Sequence, residues 1–179
     1  EDAAAAFEGD PAMRHLDEAI LCCPGVSALV VHRFAHELQL RGVPLIPRMM
    51  AELSHAATGI DIHPGAVIGQ RMFIDHGTGT VIGETSVIGN HVKMYQGVAL
   101  IGRSLKGGQS LRGVKRHPTI EDRVTLYANA TVMGGDTTVG ARSTIAANVF
   151  LTESIPPDSL VITDEVSIKV LNKLDRKPK

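Results

Sequence analysis

Tryptophan is absent from this 179-residue chain, tyrosine occurs twice and phenylalanine four times. So few large rings favour a narrow core into which such rings would not fit. Cysteine is nearly absent as well: Cys22 and Cys23 are neighbours inside a helical pattern. Adjacent residues on a helix point to different faces, which argues against a bridge, and both are expected to be small buried or half-buried thiols. No apolar run approaches the roughly 20 residues that span a bilayer, and the opening EDAAAAFEGD lacks the basic start and apolar centre of a secretory signal. The expectation is a cytoplasmic protein with no membrane partner. An excess of either charge is lacking too, since 18 basic and 19 acidic residues leave a net charge of −1. A bulk electrostatic partner such as nucleic acid is therefore not expected, and a small-molecule function fits better. The chain starts at Glu1 without methionine, so a longer natural N-terminus is expected.

What is present divides in two. Residues 10 to 58 read as helices separated by proline and glycine. After Pro24-Gly25, Val26, Leu29, Val30, Phe34 and Leu38 recur at helical spacing, widened by Val31 and Ala35, up to Gly42-Val43-Pro44. A further helix is expected from Pro47 to Ala57, ending before Gly59, with His55 among the residues facing water or a subunit contact.

From residue 60 the period becomes six. Aliphatic residues stand at Ile62, Ile68 and Ile74, at Ile82, Ile88, Met94 and Leu100, at Ile120, Leu126 and Val132, and at Val139, Ile145 and Leu151. Small or β-branched residues sit four places on, as in Ala66, Ser86, Val92, Val98, Val124, Ala130 and Val149. An antiparallel meander would need paired strands and hairpin turns. Here turn and inward aliphatic recur together, the hexapeptide pattern of a parallel β-helix. Three sextets close a triangular coil of about 18 residues, and coils stack at about 4.8 Å.

The register breaks three times. The step from Ile74 to Ile82 is eight, so two residues bulge within Asp75-His76-Gly77-Thr78-Gly79. The step from Leu100 to Ile120 is 20, two more than a full coil, through the polar stretch GRSLKGGQSLRGVKRHP. The step from Val132 to Val139 is seven, where Gly134-Gly135 absorbs one residue. Insertions on a rigid scaffold become loops that carry chemistry, so site residues are expected at the first two breaks.

GIDIHPGAVIGQRMFIDHGTGTVIGETSVIGNHVKMYQGV, followed after the excursion by KRHPTIEDRV, closely resembles the serine O-acetyltransferases of cysteine biosynthesis, with DIHP, DHGTG, GET and RHP in that order. The similarity runs from Asp10-Pro11-Ala12 to the coils near Leu151. It implies an α+β fold in which an N-terminal helical domain, 1–59, precedes a left-handed parallel β-helix catalytic domain, 60–155, with the excursion at 102–118 and a tail at 156–179. It also implies transfer of acetyl from acetyl-CoA to the L-serine hydroxyl, with acetyl-CoA as co-substrate and no metal. His76 matches the general base and Asp61 the carboxylate that orients it. Asp10, Asp75, Arg116 and His117 match serine-pocket residues, and Gly102, Ala128 and Ala147 match backbone positions that hold the pantetheine arm. Partners implied are a homotrimer, possibly a dimer of trimers, with cysteine as a feedback inhibitor. Docking of O-acetylserine sulfhydrylase, which uses a terminal isoleucine, is not expected of a chain ending in Lys179. The sequence departs from the family in having Ala99-Leu100-Ile101-Gly102 for a TLGG-like run, and in lacking a G-x-P-A-R segment after Pro156-Pro157.

The chemistry suits those residue types. A thioester is already activated, so what is missing is removal of a proton from a positioned hydroxyl, for which histidine has the right pKa and a carboxylate fixes its tautomer. His15, His32, His36, His55 and His91 read as structural, and His63 is undecided. The cations Arg103, Lys106, Arg112 and Lys115 form either a solvated basic loop or a flap over the CoA phosphates. Two alternatives stay open: an O-acetyltransferase for another hydroxyl acceptor, and a trimeric hexapeptide-repeat carbonic anhydrase with zinc on His63, His76 and His117.

Overall fold

The computed structural model describes residues 1–104 and 106–164, so the terminal Lys179 lies outside the described residues. Four helices come first: α1 (Asp2–Gly9), α2 (Leu16–Cys22), α3 (Pro24–Leu40) and α4 (Ile46–Thr58). The first was not expected, because DAAAAFEG has alanine propensity but no apolar period to mark it. The two cysteines do not share a helix. Pro24 biases the preceding residue to extended backbone, and Cys23 obeys with φ −81° and ψ 115°, ending α2 and starting α3. Cys23 is buried but Cys22 is exposed, against the expectation for it.

The face of α3 that packs is also narrower than expected. Val26, Ala28, Leu29, His32 and Ala35 are buried, while Val30 and Phe34 remain 50% and 67% exposed. The reason is what α3 packs on. Its small-residue side closes the open end of the prism, and Ala28 and Leu29 join the prism's own core with Ile60. No single helix among the described residues is long and apolar enough to cross a membrane.

Beyond Ile60 the chain coils into a three-faced parallel β-helix of short strands. Face one stacks Ile62, Ile82, Leu100, Val132 and Leu151 in register. Face two stacks Ile68, Ile88, Ile120 and Val139. Face three stacks Ile74, Met94, Leu126, Ile145 and Val161. All thirteen expected aliphatic positions therefore lie in strands, and those from Ile62 to Ile145 are buried. Each contributes on the order of 1.5–3 kcal/mol by leaving water. The second series, from Ala66 to Val149, is buried as well, filling the corners between the ladders. The stack also runs past residue 155, through Leu160 and Val161.

The long step needs correcting. Ile120 pairs with Ile88 on face two, so Leu100 to Ile120 advances by a single face and the intervening stretch contributes no coil. A count near 18 arose by coincidence of loop length. The excursion leaves the corner between faces one and two, carries a short 3-10 turn at Gly108–Leu111, and returns.

The corner between faces two and three is made by side-chain-bearing residues in the left-handed region. Arg71, His91, Arg123, Arg142 and Asp158 recur there with φ between 57° and 61°. Such backbone is uncommon outside glycine, asparagine and aspartate, and bonds between coils offset its cost. Arg142 donates from Nε and Nη2 to the two carboxylate oxygens of Asp158, each at 2.7 Å.

His32 is buried where α3 meets the first coil, near His36 and His63. Burial is the main cause holding its pKa down at about 3, and the neighbouring imidazole of His36 adds to it. The unfolded chain then binds a proton that the folded chain refuses, so stability is full above pH 6.5 and declines as pH falls below it. Urea midpoints measured between pH 6.5 and 5 should fall, and His32→Leu should flatten that slope by about one proton's worth.

Candidate functional site

The polar residues gather at two different corners of the prism. At the corner between faces three and one, the two extra residues after Ile74 form a bend in which His76 itself is left-handed, with φ 57°. The bend is laced to the start of the prism: Gly79 donates its N–H to the Gly59 carbonyl at 2.8 Å, and Asp61 donates to Thr80 at 2.9 Å. His76 projects outward, its side chain 72% exposed, with Nε2 3.7 Å from Asp75 Oδ2. Asp75, only 22% exposed, is the more fixed of the two. Asp10 faces them from the end of α1. It bends its own loop by accepting the Ala12 N–H on Oδ1 at 2.8 Å.

Asp10, Asp75, His76 and Thr78 line one open cleft of about 470 Å³, walled by Met13, Glu18, Cys22, Cys23 and Pro24. Asp61 sits on the strand beside the bend, and among the described residues its carboxylate has no hydrogen bond to His76. Continuing up this corner, Tyr95 and Tyr127 stack with ring centroids 5.1 Å apart, and burial, with Asp75 and Tyr127 nearby, raises the Tyr95 hydroxyl pKa. Ala128 is half-buried and Ala147 exposed at the same corner on the two coils above.

Arg116 and His117 lie elsewhere, where the excursion rejoins the corner between faces one and two. Arg116 Nη2 donates to Glu84, and Nη1 donates to the Leu111 carbonyl at 3.1 Å. Glu84, Arg116, Arg112 and Leu111 line a second cleft, apart from the first. Gly102 stands beside the Arg116 carbonyl at the mouth of the excursion. Thr85 ties the segment down: its hydroxyl oxygen accepts the N–H groups of Arg116 at 2.9 Å and His117 at 3.0 Å.

His117 is seated on Gly83, where a Cβ would overlap the ring. Its Nδ1 accepts the Thr85 backbone N–H at 3.1 Å, so the neutral ring carries its hydrogen on Nε2. Burial first, then the Arg116 charge, lower its pKa to about 4, so it is neutral near pH 7. His63 shares this corner. Its Nδ1 accepts the Gly65 N–H at 3.0 Å, and burial lowers its pKa. In one chain, then, His76 is separated from His63 and His117, and no group of three His, Cys, Asp or Glu among the described residues is placed to hold a metal.

Sequence reasoning did not single out Glu84 and Thr85, although both lie in the GET run. Their signal was available: two polar residues one coil below RHP, with Gly83 leaving room for a ring. Equally missed were Cys22 and Glu18, because the pocket wall they form depends on how α2 docks.

A stack of hexapeptide coils that leaves its chemistry at corners and in one excursion defines a hexapeptide-repeat β-helix protein with a helical N-terminal part. Comparison with known proteins refines this. A plasmid-borne serine acetyltransferase of Synechococcus elongatus is 52% identical over 163 residues, covering 89% of this chain and 51% of that protein. The serine acetyltransferase of Mycobacterium tuberculosis is 48% identical over 161 residues, covering 90% of this chain and 67% of that one. Among solved structures, Entamoeba histolytica serine acetyltransferase isoform 3 in complex with cysteine superposes with a TM-score of 0.89 at 42% identity, over 97% of this chain and 59% of that one. The Neisseria gonorrhoeae enzyme in complex with serine gives 0.83 at 33%, over 91% and 64%.

The chain belongs to the serine acetyltransferase family, and its β-helix is the left-handed one expected. It spans about half the length of the Synechococcus relative. A scan against models of protein families matches none.

Gly83→Ala should expel the His117 ring from its seat. Without that burial the His117 pKa should rise from about 4 toward the ordinary 6.5, read by NMR titration of the ring protons.

Proposed function

We propose that the chain transfers acetyl from acetyl-CoA to the hydroxyl of L-serine, giving O-acetylserine and CoA. The observation that carries this is the single cleft holding Asp10, Asp75 and the exposed imidazole of His76. Two carboxylates suit the ammonium of an amino acid, and the imidazole beside them suits its hydroxyl. Support comes from the gonococcal relative, whose structure is a complex with serine.

In this reading the serine ammonium takes the carboxylates, freeing His76 from Asp75. Its unprotonated nitrogen accepts the hydroxyl proton while the oxygen attacks the thioester carbonyl. Asp61, on the neighbouring strand, steadies the imidazolium that forms. The tetrahedral intermediate then collapses, the carbon–sulfur bond breaks, and the departing CoA sulfur takes the proton back from His76. Oxygen acetylation and thiol release thus balance without an outside acid. Thiol release from acetyl-CoA should depend on L-serine, and His76→Ala should lower its rate by about 10²–10⁴-fold with little change in the unfolding midpoint. Absence of serine-dependent release from the parent chain would contradict the assignment.

The second element of the proposal is a homotrimer. Arg116, His117 and Gly102 lie at a different corner from His76, so a neighbouring prism is what brings an Arg116 to the serine carboxylate and a Gly102 to the pantetheine arm, whose other supports, Ala128 and Ala147, stand above His76 in its own chain. Mixed trimers of His76→Ala and Arg116→Ala chains test this. With shared sites, about a quarter of the interfaces in an equal mixture are intact and activity returns, whereas self-contained sites stay dead. Cysteine, bound in the Entamoeba relative, is proposed to compete for the same pocket.

A further inference from the structure

We propose that the ion pair between Asp2 and Arg33 is a positioning device for the acceptor site: it fixes α1 as a rigid spacer whose far end presents Asp10 to Asp75 and His76. The proposal rests on the serine reading above and concerns residues that contact no substrate.

The pair is more than a surface contact. Arg33 Nε donates to Asp2 Oδ2 at 2.7 Å and Nη2 to Oδ1 at 3.0 Å, a two-pronged grip on a carboxylate that is 13% exposed. Asp2 Oδ1 also accepts the backbone N–H of Met72 at 3.0 Å. The same guanidinium donates to the carbonyls of Ile68 at 3.1 Å and Gly69 at 2.7 Å. One carboxylate and one guanidinium therefore join the start of α1, the middle of α3 and the stretch of coil that leads into Asp75.

From that anchor α1 runs about 12 Å to its end at Gly9. There it rests on the same stretch of coil again. Arg71 Nη2 donates to Glu8 at 2.5 Å, and Gly9 lies so close to Phe73 that a Cβ would stand 2.6 Å from the ring. Asp10 follows at once, its N–H bonded to Ala6 at 3.0 Å. These ties of the latch and spacer to the coil fall on residues 68–73, just ahead of Asp75 and His76. Both halves of the acceptor cleft are gauged from one piece of backbone.

The latch is separable from the fold. The aliphatic core of the prism is one cluster, whereas Ala6, Ala19, Cys23, Val26 and Phe73 form another that holds α1. Loosening α1 therefore leaves the ladder of coils intact while freeing the helix that carries Asp10.

The test is Asp2→Asn, which keeps the shape and removes the charge, in the full chain with and without Asp10→Ala. The apparent KM for L-serine should rise on the order of tenfold while the KM for acetyl-CoA stays within about twofold. In the Asp10→Ala background Asp2→Asn should add nothing, because the latch works through Asp10. Hydrogen exchange at the Ala12 amide, bonded to Asp10, should speed up at least about tenfold. A parallel rise in both KM values, multiplicative effects in the double variant, or unchanged Ala12 exchange would each overturn the proposal. If the parent chain shows no serine-dependent thiol release, the functional reading fails, and the Ala12 exchange rate alone decides whether Asp2 sets Asp10.

Discussion

Everything in this molecule answers to the stacking of one aliphatic side chain upon the next inside a prism too narrow for anything larger. Because each coil spends three sextets to close, residues can be added only where the backbone turns. The wall between corners has no freedom to carry a reactive side chain off its plane, since a one-residue slip there would send the whole inward set outward. Insertions are thereby confined to corners, and His76 and Arg116 are found at the two longest of them.

That confinement explains what could be read in advance. The ladder from Ile62 to Leu151 announced itself because a period of six has few other physical meanings in so long a run. The bend at Asp75-His76 was visible as an eight-residue step for the same reason. Where side chains meet by tertiary docking, the pattern went silent. α1 carries alanines and no apolar stripe, so nothing local reveals that Asp2 finds Arg33 across the helical layer. Phe34 and Val30 looked like core by helical spacing, yet the end of the prism receives only the small side of α3. The excursion showed the opposite failure: a loop whose length mimics a coil, distinguishable only by the pairing of Ile88 with Ile120. Of the site, His76 and Asp75 were legible through the bulge. The distance from them to Arg116 and His117 was not, because counting residues says which corner a residue occupies only if the excursion's length is interpreted correctly.

The division of polar groups between two corners also orders the electrostatics. The corner with His76 is open, acidic and ringed by α1 and α2, while the corner with Arg116 is tightly bonded to the GET run through Glu84 and Thr85. One is an open cleft bearing carboxylates, and the other holds a guanidinium already paired with one.

The seat of His117 has a further meaning. A ring whose inner nitrogen is filled by an amide hydrogen has only hydrogen to offer outward, so near neutrality it is a giver and never a taker. The two histidine corners are therefore not interchangeable spares. In the pocket that the proposed trimer would assemble from both, the direction of hydrogen donation at His117 is set by a threonine amide rather than by the imidazole's own preference.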